Sequence, residues 1–229
     1  MKIALLVPGG VDPSGTRRVI PSVLWLIERL ARRHEVHVFA LRQEDRTVRY
    51  ELRGASVHAV GPWPRRLRAA TALCLEHARA PFDVLHALWA TPQGVLAGAL
   101  GRVLRRPVVL HLVGGDVRAI PEIGYGLLLT RRGRAWLRIA DALAERVLVS
   151  SGEMARHART LGLRVLEVPF GVDLARWPPR APRPRSREGP ARLLHVGSLN
   201  SVKDHETLLR AFSVLVSEGV EAELDLVGE

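Results

Sequence analysis

Lys2-Ile3-Ala4-Leu5-Leu6-Val7 sets one lysine before an unbroken apolar run. A run this short, without alternation of polar and apolar positions, reads as a strand buried on both faces. Residues 18–33 then change period: Val19, Val23, Leu24, Ile27, Leu30 and Ala31 share one helical face, while Arg29, Arg32 and Arg33 fall mostly elsewhere. Glu35-Val36-His37-Val38-Phe39-Ala40 returns to strand character. Strand, amphipathic helix and strand in succession predict an α/β fold, a parallel sheet with helices on both faces.

The same alternation continues. Residues 57–60, 82–86, 107–112, 146–150 and 164–168 read as strands, and residues 64–79 and the stretch after Pro92 as helices. Ser150 and Glu153 have the spacing of a capping box, which places a helix start near Ser151. Residues 84–101 carry no formal charge, yet His86, Thr91-Pro92-Gln93 and three glycines fit a strand, a turn and a helix better than a membrane span. Residues 177–190 are dense in Pro and Arg without apolar periodicity, so they read as a linker. Beyond them come a strand at 193–197, a helix from about Lys203 to Ser217 and a strand at 222–227. The expected organisation is a first domain over 1–174, a linker over 175–190 and the start of a second domain over 191–229. So short a second segment cannot cover both faces of a sheet, so it is expected to be incomplete.

Composition narrows the partners. At 229 residues and 47% hydrophobic content the chain can bury a core. A formal charge of +11 implies something anionic: nucleic acid, a membrane surface or a phosphorylated substrate. Aromatic content of 5% and the lack of an RNP, helix-turn-helix or zinc pattern weigh against nucleic acid. Cys74 is the single cysteine and lies in Ala72-Leu73-Cys74-Leu75, which reads as a buried structural thiol and admits a reducing compartment. Residues 1–8 are too short for a signal-peptide core, so the expected location is cytoplasmic, with a peripheral place on the inner face of the membrane as the alternative.

Lys203 is one of only two lysines among 34 basic Lys and Arg residues. It stands in Leu193-Leu194-His195-Val196-Gly197-Ser198-Leu199-Asn200-Ser201-Val202-Lys203-Asp204, a strand, a tight loop and a helix start. Such junctions hold phosphate by backbone N–H groups and the helix dipole. A compact ammonium there is a candidate phosphate ligand, against the plainer reading of a solvated side chain at a helix start.

Several stretches in order carry a resemblance: Pro8-Gly9-Gly10-Val11-Asp12-Pro13-Ser14-Gly15, residues 30–38, Phe82-Asp83-Val84-Leu85-His86-Ala87, Val149-Ser150-Ser151, Val168-Pro169-Phe170-Gly171-Val172-Asp173 and the Lys203 segment. Together they resemble the GT-B glycosyltransferases of family 4. The resemblance implies two Rossmann-like domains facing each other across a cleft, the first holding the acceptor and the second a nucleotide-sugar donor. It also implies a retaining transfer in which charge growing on the leaving diphosphate is met by cations and N–H groups. Asp-x-Asp, His-Glu-x-x-His and Cys-x-x-Cys are absent from the sequence, so no metal and no cofactor is expected.

By the same resemblance Lys203, Gly197 and Ser198 are donor-diphosphate residues, Ser198 standing where the family commonly has an arginine. Gly15 is a fourth donor-diphosphate candidate: it matches the second glycine of the family's N-terminal turn, with Ser14 replacing the first, and a glycine lets backbone approach a phosphate, against the plainer reading of a simple turn. Gly114-Gly115-Asp116 is similar to the family's His-Gly-x-Asp loop with Val113 in the histidine position, so Asp116, Gly115 and His111 are candidate acceptor-binding residues. The residues themselves leave plainer readings open: Asp116 as a turn cap and His111 as a packed core residue. Residues 130–138 mix arginines with Trp136, which suits an anionic membrane surface or acceptor phosphate, or simply a solvated helix face. Trp63 and Trp89 are expected in core or hinge packing rather than stacked on sugar. The family's donor-side glutamates lie beyond Glu229, so the chain as given is expected to show little transferase activity. The competing readings are a non-catalytic acceptor- or membrane-binding module and, behind it, a basic nucleic-acid binder.

Overall fold

The computed structural model describes residues 1–181 and 189–228. Part of the expected linker, residues 182–188, lies outside the described residues, as does residue 229. The chain divides into two compact units, residues 1–120 with 126–177 and residues 121–125 with 178–229.

The first unit is built on eight strands: β1 (Lys2–Val7), β2 (Glu35–Ala40), β3 (Val48–Leu52), β4 (Ala55–Ala59), β5 (Val84–Leu88), β6 (Val108–Leu112), β7 (Arg146–Val149) and β8 (Val165–Glu167). Their order across the sheet is β3-β4-β2-β1-β5-β6-β7-β8, with every neighbouring pair parallel except β3 and β4. The expected α/β architecture with a Rossmann-like parallel sheet is therefore observed. The chain leaves β1 toward β2 on one side and returns to β5 on the other, so the switch point lies at the carboxyl ends of β1 and β5.

Five helices cover this sheet: α1 (Pro21–Ala31), α2 (Arg65–Arg79), α3 (Val95–Leu104), α4 (Arg131–Leu143) and α5 (Gly152–Thr160). On one face Val23, Leu24 and Ile27 of α1 pack on Leu5, Val7, Val36, Val38 and Val57. On the other, Leu73, Leu100, Leu137 and Met154 from α2 to α5 pack on Ala4, Leu6, Phe39, Leu85, Leu110 and Val149. Strand alternation sends successive side chains into these two separate cores.

The structure departs from the sequence reading at several points. Helix α1 starts at Pro21 because the preceding residues are used elsewhere: Val19 bridges Val11, and Arg18 grips Asp12 Oδ2 through Nε at 2.9 Å and NH2 at 2.6 Å. Gly10 sits inside that loop at φ +80°, where a Cβ would lie 2.5 Å from Ile20 Cγ1, so only glycine fits. Helix α5 is capped by Ser151, whose Oγ accepts from Met154 N at 3.2 Å, and not by Ser150. Glu153 turns to Arg118 instead of closing a capping box. Ser151→Ala should therefore cost about 1 kcal/mol in urea unfolding; an unchanged midpoint would remove the cap from the account. Strand β3 was not foreseen at all.

The second unit contains β9 (Ala191–Val196), α6 (His205–Ser217) and β10 (Ala222–Val227), the two strands pairing in parallel from Ala191↔Ala222 to Val196↔Val227. Lys203 lies in a 3₁₀ turn, Ser201–Lys203, and α6 begins two residues later than expected. Leu194, Val196, Leu209 and Val214 of this unit are exposed.

Candidate functional site

The carboxyl ends of β5 and β6 are joined through Asp116. Its Oδ1 accepts from Ala90 N at 2.9 Å and its Oδ2 from Val113 N at 2.8 Å, and the residue is 4% exposed. Gly114 (φ +64°) turns the chain after β6 into the 3₁₀ turn Gly115–Val117 that brings this carboxylate back. Burial pushes the Asp116 carboxyl up to about 6, and the two N–H donors work against that rise. Trp89 begins the loop after β5 at φ +70°, donates its N–H to His111 O at 2.9 Å and packs half-buried on the α1-side core.

The His111 ring lies elsewhere. Its strand position sends the ring to the α1 side of the sheet, where it stacks on Phe170 with centroids 4.5 Å apart and its Nε2 meets Ser150 Oγ at 3.2 Å. His86 lies parallel to it at 6.1 Å, and both line a cleft of about 170 Å³ with Trp25 and Phe170. Burial holds both imidazoles down at about 4, hence neutral.

Gly15, at φ +67°, donates its N–H to Asp12 O at 2.9 Å. A Cβ there would meet Arg53 NH2 at 3.7 Å and Leu52 Cδ1 at 3.9 Å, beside the turn between β3 and β4. That turn is at the end of the sheet away from Asp116, because Leu52 pairs with Ala55, the first residue of β4. The structure thus sets Gly115 and Asp116 in one turn at the carboxyl ends of β5 and β6, and sends the His111 ring to the α1 side of the sheet.

In the second unit, Gly197, Ser198 and Lys203 do converge. Gly197 N donates to Val227 O at 2.9 Å, and a Cβ at Gly197 would lie 3.6 Å from Lys203 Cδ and Cε. Asn200 shapes the loop: its Nδ2 donates to Ser198 Oγ at 2.8 Å and its Oδ1 accepts from Val202 N at 3.1 Å. Asp204 caps α6 from φ +49°, accepting from Thr207 N at 3.3 Å. Among the described residues Lys203 forms no salt bridge, so its ammonium is exposed at a strand end beside a glycine.

Some features escaped the sequence reading. Lys2 is 7% exposed and bridges Glu35 at 3.1 Å and Glu76 at 3.3 Å. A lysine opening an otherwise apolar strand was the available signal. Beside it His37 Nδ1 lies 3.1 Å from His58 Nε2 and 3.9 Å from Glu76 Oε1, and these three residues have the donor set of a metal site. Lys2, Arg49 and Arg79 already surround the Glu76 carboxylate, which opposes a divalent cation. Trp63 is 86% exposed just before α2, contrary to the expected core or hinge packing. Cys74 is half-buried against the core, less enclosed than expected. Helix α4 buries Gly133, Leu137 and Ala140 and leaves Arg131, Arg132 and Arg138 in solvent.

Residues 19–171 match the family described as Glycosyl transferase 4-like domain. The chain belongs to that family. Solved structures show the same fold for this glycosyl transferase 4-like chain at low identity. Sucrose-phosphate synthase from Thermosynechococcus elongatus is 12% identical with a TM-score of 0.58, over 100% of this chain and 70% of that one. Anabaena HepE in complex with UDP and glucose is 13% identical with a TM-score of 0.57, over 100% of this chain and 69% of that one. Trehalose 6-phosphate synthase from Burkholderia multivorans is 12% identical with a TM-score of 0.60, over 99% of this chain and 62% of that one. No curated protein matches the sequence. No helix among the described residues of the glycosyl transferase 4-like chain is long and apolar enough to cross a membrane.

Proposed function

We propose that the chain serves a retaining glycosyl transfer from a nucleotide-sugar donor, with the donor diphosphate held at Gly197, Ser198 and Lys203. The observation that carries this reading is the juxtaposition of a glycine, a hydroxyl and a lysine that forms no salt bridge among the described residues, at the end of β9. Departure of the nucleotide concentrates negative charge on the diphosphate, and a fixed cation there stabilises the transition state more than the ground state. The lysine stem runs beside Gly197, at van der Waals distance from where a Cβ would stand, so the ammonium and the glycine backbone lie side by side for a phosphate. The UDP and glucose held by HepE, a protein of the same fold, support a nucleoside diphosphate as the leaving group.

The acceptor side falls to the first unit, at the carboxyl ends of β1, β5 and β6. Asp116 acts there as a positioning residue: its oxygens hold the loops that carry Trp89 and Gly115, whereas His111 supports the sheet beneath Phe170. Membrane contact by α4 rests on its solvated arginines alone.

UDP is the direct probe. Calorimetric titration of UDP into the 229-residue chain should show Lys203→Ala weakening binding about tenfold or more, as expected for a lost charge-assisted contact. Equal affinity in wild type and variant would remove Lys203 from the donor site.

A further inference from the structure

We propose that the acceptor carries a phosphoryl group, bound in a cavity of about 360 Å³ lined by Arg42, Arg65, Arg66 and Trp63. This rests on the transferase reading and names the acceptor class. The cavity is separate from the cleft at His86 and His111.

Its walls come from three strand ends. Leu41 and Arg42 follow β2, Trp63 to Arg66 lead from β4 into α2, and Pro92 follows β5. A Cβ on Gly9, in the turn after β1, would lie 3.3 Å from Arg42 O, so the cavity borders the switch point where α/β folds take ligands. Its volume falls within the range of about 300–1,000 Å³ typical of small-molecule pockets.

Charge decides the ligand. Three of the lining residues are arginines and none is acidic. Among the described residues none of the three forms a salt bridge. Two of them occupy the first turn of α2, which holds no acidic residue and no side-chain cap. The positive end of a helix repels cations, so this placement is unfavourable without an anion. A carboxylate is satisfied by one planar fork, whereas three arginines lining one cavity can meet the several oxygens of a phosphoryl group. Trp63, 86% exposed on the rim, offers an indole face to the ring that bears the phosphate.

Glucose 6-phosphate, glucose and phosphatidylcholine vesicles doped with phosphatidic acid separate the possibilities. The readout is the Trp63 emission, isolated by subtracting the trace of Trp63→Phe. Saturable binding of glucose 6-phosphate but not glucose, weakened about tenfold or more in the Arg65→Ala/Arg66→Ala double variant, supports a soluble phosphorylated acceptor. Binding only to the doped vesicles, with the same dependence on Arg65 and Arg66, supports a phospholipid or lipid-phosphate acceptor. Glucose binding as well as its phosphate, or a double variant that binds phosphate as wild type does, overturns the proposal, as does failure of both phosphorylated probes. Both arginines are exposed, so matched circular dichroism melts will show that the variant folds. The UDP titration with Lys203→Ala is read independently: its failure sinks the donor site, and failure here sinks only the phosphorylated acceptor.

Discussion

Lowering the pH from 7 to 4 should strip the folded state of several kcal/mol, with His86 alone supplying about 3 kcal/mol of the loss. In the folded chain burial holds His86 down at about 4, against 6.5 when exposed. The unfolded chain therefore takes up a proton first as pH falls through 6.5, and stability declines until the folded imidazole also protonates near 4. His111 and His58 are held down at about 4 for the same leading reason and act in the same direction. Asp116 opposes them. Its carboxyl is pushed up to about 6 from 3.8, so it keeps its proton longer in the folded state, and its contribution weakens stability as pH rises through that window. One histidine roughly offsets it and two remain, so the net slope is set by the imidazoles. Urea midpoints measured between pH 7 and 4 should fall steeply in wild type and less steeply in His86→Met. An equal slope in both would show that His86 is not a source of the acid sensitivity.

Asp116→Ala should cost about 2–5 kcal/mol at neutral pH. The substitution leaves Ala90 N and Val113 N, the first of them buried, without acceptors, at about 1–3 kcal/mol each. Asp116→Asn keeps one acceptor oxygen and should recover part of the loss. A wild-type urea midpoint for Asp116→Ala would mean that the two loops hold without this carboxylate, and its positioning role would fall.

What could be read from the chain follows the physics of burial. Strands β1, β2, β5 and β6 were legible because strands buried on both faces are written as apolar runs. Strand β3 was not, because Val48-Arg49-Tyr50-Glu51-Leu52 alternates at a half-exposed antiparallel edge and carries two charges. Strand order is set by long-range pairing that no local pattern records. Ser150 and Ser151 compete for one cap, and only the fold shows that Ser150 is turned toward His111. In the candidate site, Gly197 and Lys203 were readable as a strand-loop-helix junction. The cavity between Arg42 and Arg65 was not, since its walls meet only after β2 and β4 have paired.

The register of the central strand also bears on how the protein emerges from the ribosome. β1 is made first, and β2 follows closely enough to pair Ile3 with Val36 while synthesis continues. Its other edge must wait for Val84, the partner of Ile3 in β5, to be translated. Until then the strand that anchors both halves of the sheet offers an open, apolar edge in the nascent chain, the kind of edge that invites mispairing and chaperone binding. Only when β5 seats can β6, β7 and β8 add outward in the order in which they are translated.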